Sequence, residues 1–207
     1  IPLDIRYDIV KNSNFYYRKY NKLKKAVGHL EGQLKETNED ILYFNLLKSQ
    51  IATGDISSIL DIKQELIDNN YMHITKKTKK KQKKQNPTTY IVDGTEIVVG
   101  KNNVQNSYIT HTLAKSNEVW FHIKDGPGSH VLVRSPFPLS ENVIRTAANI
   151  AAFYSTQSLS GSVPVDYTEK RNVKKIPGKH SCFVSIKQFK TIFIDPDKDF
   201  IDTLEVQ

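Results

Sequence analysis

One cysteine, one methionine and one tryptophan occur in 207 residues, and each scarcity narrows what the chain can do. A lone Cys182 excludes an intramolecular disulfide framework and a cysteine-rich zinc site, and fits a reducing compartment. No apolar run reaches about eighteen residues, the length a membrane-spanning helix requires, so no span is expected. No secretory pattern opens at Ile1. The chain begins without Met and in mid-element, so it is expected to be a fragment whose true amino terminus is missing.

Acid is missing from one stretch above all. Residues 76–88 hold seven Lys and no Asp or Glu, whereas residues 1–75 balance ten basic against ten acidic side chains. Residues 89–207 hold thirteen basic and twelve acidic residues, so the formal charge of +8 is carried almost wholly by the lysine run. With like charges repelling and nothing apolar to bury, residues 74–88 are expected to be a disordered linker between domains. Two further basic clusters occur, Lys11–Lys35 and Val163–Lys190, and the tail after Thr191 is acidic. Three separated basic patches fit a long polyanionic partner better than a small one.

Positions 16, 20, 23, 27, 30, 34, 37, 41, 44, 48 and 51 alternate spacings of four and three, and all but Thr37 and Lys48 are apolar or aromatic. That spacing predicts a coiled-coil helix over Asn12–Ile51, ended by Thr53-Gly54-Asp55. Lys11, Arg18, Lys19, Lys22, Lys24 and Lys25 give it a basic face, suited to RNA or simply to water. A shorter helix to Asp68, capped by Asp55 or Ser57, places Leu60, Lys63 or Gln64, and Ile67 on one side. It is too short to cover the seam, so a partner helix from upstream or from a second copy is expected. Residues 1–73 form this segment.

From Thr89 the texture changes. Thr89–Val92 and Glu96–Val99 flank Asp93-Gly94, a type I′ hairpin signal. A helix is expected over Asn106–Ala114, and a second over Glu141–Ser155 behind the N-cap Ser140, burying Val143, Ala147, Ile150, Ala151 and Tyr154. Val163–Tyr167, Cys182–Ile186 and Thr191–Ile194 read as strands. Residues 89–207 are therefore read as an α+β domain: a mostly antiparallel sheet with two packed helices.

The organising stretch is Glu118–Arg134, EVWFHIKDGPGSHVLVR. Period-two alternation predicts strands Val119–Ile123 and Val131–Val133, and Asp125-Gly126-Pro127-Gly128 supplies the turn. His122, Lys124, Ser129, His130 and Arg134 cluster donors at the strand ends, around a backbone whose glycines permit an anion-binding nest. An ordinary hairpin with solvated polar residues has the same pattern. Trp120, His122 and Lys124 share one face. An exposed Trp120 would be a stacking platform, but a single strand Trp is more often core.

These stretches, with VGKNNVQNSYITHTLAK, VDYTEKRNVKKIPGKH and FVSIKQFKTIFIDPD, resemble the RNA-binding C-terminal domain of the NFACT family. YYRKYNKLKKAVGHLEGQL and DIKQELIDNNY are similar to that family's coiled-coil segment. The family's motifs fall on Gly100, Lys101, Asn102, Asn103 and Asn106; on Trp120, His122, Lys124, Asp125, Gly128, Ser129 and His130; and on Val173, Lys174, Lys175 and Gly178. Ser181-Cys182 departs from the Pro-Gly usual before the Phe-Val strand. The resemblance implies the C-terminal half of a bacterial ribosome-associated quality control factor. Such proteins bind the large ribosomal subunit and recruit alanyl-tRNA for C-terminal alanine tailing, and are also known as fibronectin/fibrinogen-binding proteins of Gram-positive bacteria. It implies tRNA and rRNA as partners and a cytoplasmic location, or a cell-surface one for the adhesion role.

On that reading Lys101, Lys124, Arg134, Arg171, Lys174 and Lys175 contact phosphates, while Asn102, Asn103 and Asn106 read base or ribose edges. His122, Ser129 and His130 complete the expected RNA site. An enzyme is not expected. His122, His130 and His180 with Cys182 lack an orienting group and an oxyanion donor, and no third ligand accompanies His122 and His130 at metal spacing. Asp166 with Glu169, and Asp195 with Asp197, sit at a strand end and a turn. No cofactor or metal is expected.

Overall fold

Asp93 and Gly94 both take positive φ, 50° and 72°, as a type I′ turn requires, and they close the hairpin of β1 (Thr88–Val92) and β2 (Thr95–Val99). This is the computed structural model of the chain; it describes residues 1–53, 56–73, 86–176 and 182–207. The lysine run from 76 to 84, Gly54-Asp55, Gly178, His180 and Ser181 lie outside the described residues, as does the Ser57 side chain. Two compact units are present, Ile1–Phe44 and Asn45–Gln207.

The first unit is built on helix α1 (Ile9–Thr53), which begins three residues before the expected Asn12. Asp8 accepts the Lys11 N–H at 2.7 Å, the bond of an N-cap. Asn12 is buried and donates to the Asp4, Tyr7 and Asp8 carbonyls, so the incoming chain is folded back on the first turn. The heptad positions lie exposed along it: Tyr20, Leu23, Val27, Leu30, Leu34 and Ile41 are each more than half exposed. Lys11, Arg18, Lys19, Lys22, Lys24 and Lys25 are exposed as well.

In the second unit α2 (Ile56–Asp68) buries Ser58 and Ile62 rather than the expected stripe of Leu60, Lys63 or Gln64, and Ile67. Its half-buried Asp61 and Glu65 are drawn to partners far along the chain, described below. The end of α1 and all of α2 thus belong with the sheet, and the compact division falls inside α1.

The sheet holds β3 (Val119–Ile123), β4 (Val131–Val133), β5 (Val163–Glu169), β8 (Lys190–Ile194) and β9 (Glu205–Val206) together with β1 and β2, in the order β8-β5-β3-β4-β2-β1-β9. Every described pairing is antiparallel. On one face lies α4 (Glu141–Phe153), capped by Ser140 as expected, with Val143, Ala147, Ile150 and Ala151 buried against Val99, Phe121, Val131 and Val165. Its small residues let helix and sheet approach closely.

The helix expected at Asn106–Ala114 starts three residues earlier. It is α3 (Asn103–Tyr108), running on into a π-helical turn, Ile109–Leu113. It starts early because Asn102 caps it, accepting the Gln105 N–H at 2.8 Å. It packs on the opposite face, where Ile109 meets Val98 and Leu132. The strand expected at Cys182–Ile186 shortens to β7 (Val184–Ile186) and leaves the main sheet to pair with β6 (Val173–Lys175) in a separate ribbon. Helix α5 (Lys198–Asp202) and β9 were not legible in the pattern.

Candidate nucleic-acid interface

The polar residues of the two central motifs turn inward and bond to one another. Asn106, wholly buried, accepts the His130 N–H at 3.0 Å and points its amide N–H at the Gly128 carbonyl, fastening α3 to the β3–β4 loop. The His130 ring meets Thr110 Oγ1 at 2.7 Å, and the same hydroxyl accepts the Trp120 indole N–H at 3.1 Å. Trp120 is core, as a lone strand Trp usually is. His122, half-buried, stacks on its indole at 5.6 Å with 15° between planes.

Asn102 and Asn103 tie this layer to the preceding helices. Asn102 donates to Asp61 at 3.2 Å. Asn103 donates to Glu65 at 2.9 Å and accepts from the Gln50 amide at 3.0 Å. These asparagines were expected to read base or ribose edges. The structure places Asn102, Asn103, Asn106, Ser129 and His130 inside, with the three amides and the His130 ring bonded to protein partners. Their work is to fix the backbone.

The β3–β4 loop uses its glycines differently from the expected anion nest. Asp125, not glycine, takes the left-handed φ of 52°. Gly126 and Gly128 are there for room: a Cβ would stand 2.8 Å from Ile123 Cδ1 at the first and 3.1 Å from Ile123 Cγ1 at the second.

Among the expected phosphate contacts, two cations are already spoken for. Arg134 bonds buried Glu118 at 2.8 Å and lies 3.9 Å from Glu96. A guanidinium in that pair would leave a buried carboxylate unpaired if it turned to phosphate. Arg171 bonds Glu169 at 2.6 Å on the surface. Lys124, Lys174 and Lys175 are exposed, and Lys101 is half-buried with its ammonium 5.4 Å from the Tyr154 ring. The exposed lysines of the site are therefore Lys124, Lys174 and Lys175.

Burial lowers the pKa of His122, and lowers that of His130 well below the ordinary 6.5, where repulsion from His122 and His111 once protonated adds to the effect. Both rings are neutral at pH 7. A base whose folded value is depressed adds stability that is present above its unfolded value, near 6.5, and lost as pH falls. The thermal midpoint is thus expected to drop on acidification from about pH 7.5 to about pH 5, with His130→Gln flattening the decline; a wild-type midpoint indifferent to pH in that window would refute it. Burial also pushes the Cys182 thiol up to about 12, so it stays protonated at neutral pH and is poorly suited to nucleophilic attack.

Fold and surface together define an α+β domain: an internally bonded sheet displaying lysines, preceded in the chain by a long helix with exposed apolar positions. Residues 1–86 match the NFACT N-terminal and middle domains, and residues 85–184 match the NFACT protein RNA binding domain. The chain is 35% identical to a solved structure, the C-terminal part of the fibronectin/fibrinogen-binding protein from Streptococcus suis, with a TM-score of 0.86 over 95% of this chain and 80% of that one. The chain belongs to the NFACT family. Proteins named Rqc2 homolog RqcH match it along nearly all its length: that of Bacillus subtilis at 41% identity over 99% of this chain, that of Streptococcus suis at 36% over 100%. The chain spans only 36% and 38% of those relatives.

Proposed function

We propose that this chain is the RNA-binding part of a ribosome-associated quality control factor, which helps hold tRNA on the large ribosomal subunit while stalled nascent chains receive C-terminal alanine tails. The observation that carries this is the match of residues 85–184 to the family's RNA binding domain, whose exposed cations here are Lys124, Lys174 and Lys175. The relatives named RqcH support the quality control role. In this reading the chain binds and positions, peptide-bond chemistry belongs to the ribosome, and the protein works in the cytoplasm. No described helix is long and apolar enough to cross a membrane.

Phosphate contact makes binding salt-dependent, because each neutralised phosphate releases counterions. Purified residues 1–207 are expected to bind labelled tRNA with an affinity that falls steeply with salt. Lys124→Glu and Lys174→Glu are each expected to weaken it about tenfold or more at low salt and to shallow the slope. A second reading, capture of fibronectin or fibrinogen, is favoured by the name of the Streptococcus suis structure. Saturable capture by immobilised fibronectin with no tRNA binding at any salt would put that reading first.

A further inference from the structure

The face of the sheet opposite α4 is covered only in part. Residues 120, 122, 166, 168, 191 and 193 share it, because β3 pairs with β5, and β5 with β8, in the registers Trp120↔Thr168, His122↔Asp166, Asp166↔Thr191 and Pro164↔Phe193. Ile109 and the indole of Trp120 fill the side toward β4. Toward β8, the edge strand, the face opens. Phe193 is 63% exposed, Phe189 just before the strand is 43% exposed, and Thr191 between them is exposed.

The bend that precedes Phe189 is fixed by hydrogen bonds. Gln188 takes a left-handed φ of 49°, and Thr168 Oγ1 fixes that bend by donating its one O–H to the Gln188 carbonyl at 3.0 Å, with the Lys187 carbonyl 3.3 Å away. Asn172 donates in turn to Thr168 Oγ1 at 2.9 Å, so the β6–β7 ribbon is anchored to the same point. A non-glycine residue in the left-handed region costs energy that local packing must meet, and what the bend delivers to the surface is Phe189.

The surroundings are cationic. Lys124 donates its backbone N–H to Pro164, the register partner of Phe193, and is exposed. Lys187, two residues before Phe189 in the chain, is exposed, as are Lys174 and Lys175 on β6. The nearest acid on this face, Asp166, is buried and closed off by the Thr191 hydroxyl at 2.6 Å. Asp195, past the end of β8, accepts the Ser162 N–H at 2.6 Å. Flat apolar rings between lysines match unpaired bases between phosphates, whereas a base-paired duplex hides its ring faces.

We propose that the open half of this sheet face, centred on Phe193 and Phe189 and flanked by Lys124 and Lys187, stacks unpaired bases of single-stranded RNA. This rests on the RNA-binding reading above and names its ligand as unpaired strand. The residues expected from sequence to read bases are buried, and these phenylalanines take that place without sequence selectivity, since every base has a stackable face.

The test uses the whole chain with two probes: short oligouridine carrying 2-aminopurine, and an RNA duplex of equal phosphate count. The wild-type chain is expected to prefer the single strand and to quench the 2-aminopurine. Phe193→Leu and Phe189→Leu, which keep an apolar side chain on the surface, are each expected to weaken single-strand binding about tenfold, with the salt slope and duplex affinity unchanged. Phe193→Tyr, which retains a stackable ring, is expected to bind as wild type, separating lost stacking from lost folding. Wild-type affinity in both leucine variants would overturn the stacking site and leave the RNA-binding function standing. Absence of RNA binding by the wild-type chain would overturn both. A wild-type dimer that Phe193→Leu converts to monomer would assign the patch to a second copy of the chain and likewise overturn it.

Discussion

Gly100→Ala is expected to destabilise the sheet-containing unit by about 2–5 kcal/mol, the sum of an overpacked core position and a buried N–H left unpaired. A Cβ at this position would stand 2.4 Å from Asn106 Oδ1 and 2.8 Å from the Asn106 backbone N. The side-chain oxygen could swing aside, but the backbone nitrogen lies in α3 and cannot. Swinging Oδ1 away also removes the acceptor of the His130 N–H, which is buried. Gly100 itself donates its N–H to the His130 carbonyl at 3.1 Å, so both polar groups of the His130 backbone depend on this contact. The required feature is close approach. Gly100 is not among the positive-φ glycines, so no left-handed conformation is involved. Urea unfolding of the two proteins at pH 7.5 measures the difference. Gly28→Ala is the control of opposite sign: nothing lies within 4 Å of its added Cβ, and replacing a helical glycine stabilises α1 by up to about 1 kcal/mol. A Gly100→Ala cost below about 0.5 kcal/mol, the range of ordinary surface changes, would show that α3 is not held as described.

Local signals in the sequence carried the elements whose causes are themselves local. Asp93-Gly94 encodes its turn in two residues, Ser140 caps the helix that follows it, and the alternation in Val119–Ile123 states which face is buried. The α+β character, the antiparallel pairing and the long helix with its seam were legible for the same reason. What escaped was whatever depends on a distant partner. Lys101-Asn102-Asn103 reads as a polar loop displaying amides, because nothing nearby says that Asp61, Glu65 and Gln50 will meet them across some 40 to 50 residues. Arg134 looks like a free cation until the fold brings Glu118 to it across the β3–β4 pair. Phe193 sits in the apolar run Ile192-Phe193-Ile194, and its place on the outermost strand leaves it exposed. Of the expected site, the lysines reach the surface and the asparagines do not, and burial decides which polar residue contacts solvent.

That division makes Trp120 the second residue on which the domain turns. Trp120→Ala is expected to cost about 3–5 kcal/mol, the range for removing a large buried aromatic, because the side chain is 1% exposed and bonded to Thr110 in the π-helical turn. Trp120→Phe keeps a ring but removes the indole N–H that Thr110 Oγ1 accepts, and is expected to cost roughly 1–2 kcal/mol for that bond and the smaller volume. The gap between the two variants reads out packing against hydrogen bonding at one position. The His122 ring stacks directly on the indole, and His130 meets the same indole edge-on at 5.0 Å. Truncation therefore opens a space beside two neutral imidazoles and admits water to rings whose depressed pKa values depend on burial. With water admitted, both values rise toward 6.5, and the acid sensitivity of the remaining stability weakens. Trp120→Ala should thus both lower the thermal midpoint at pH 7.5 and reduce its further drop toward pH 5, whereas Trp120→Phe should keep the wild-type pH profile. Parallel pH profiles for wild type and Trp120→Ala would mean that the indole does not seal the histidines, and that their burial comes from the polar clasp of Asn106 and Thr110 alone.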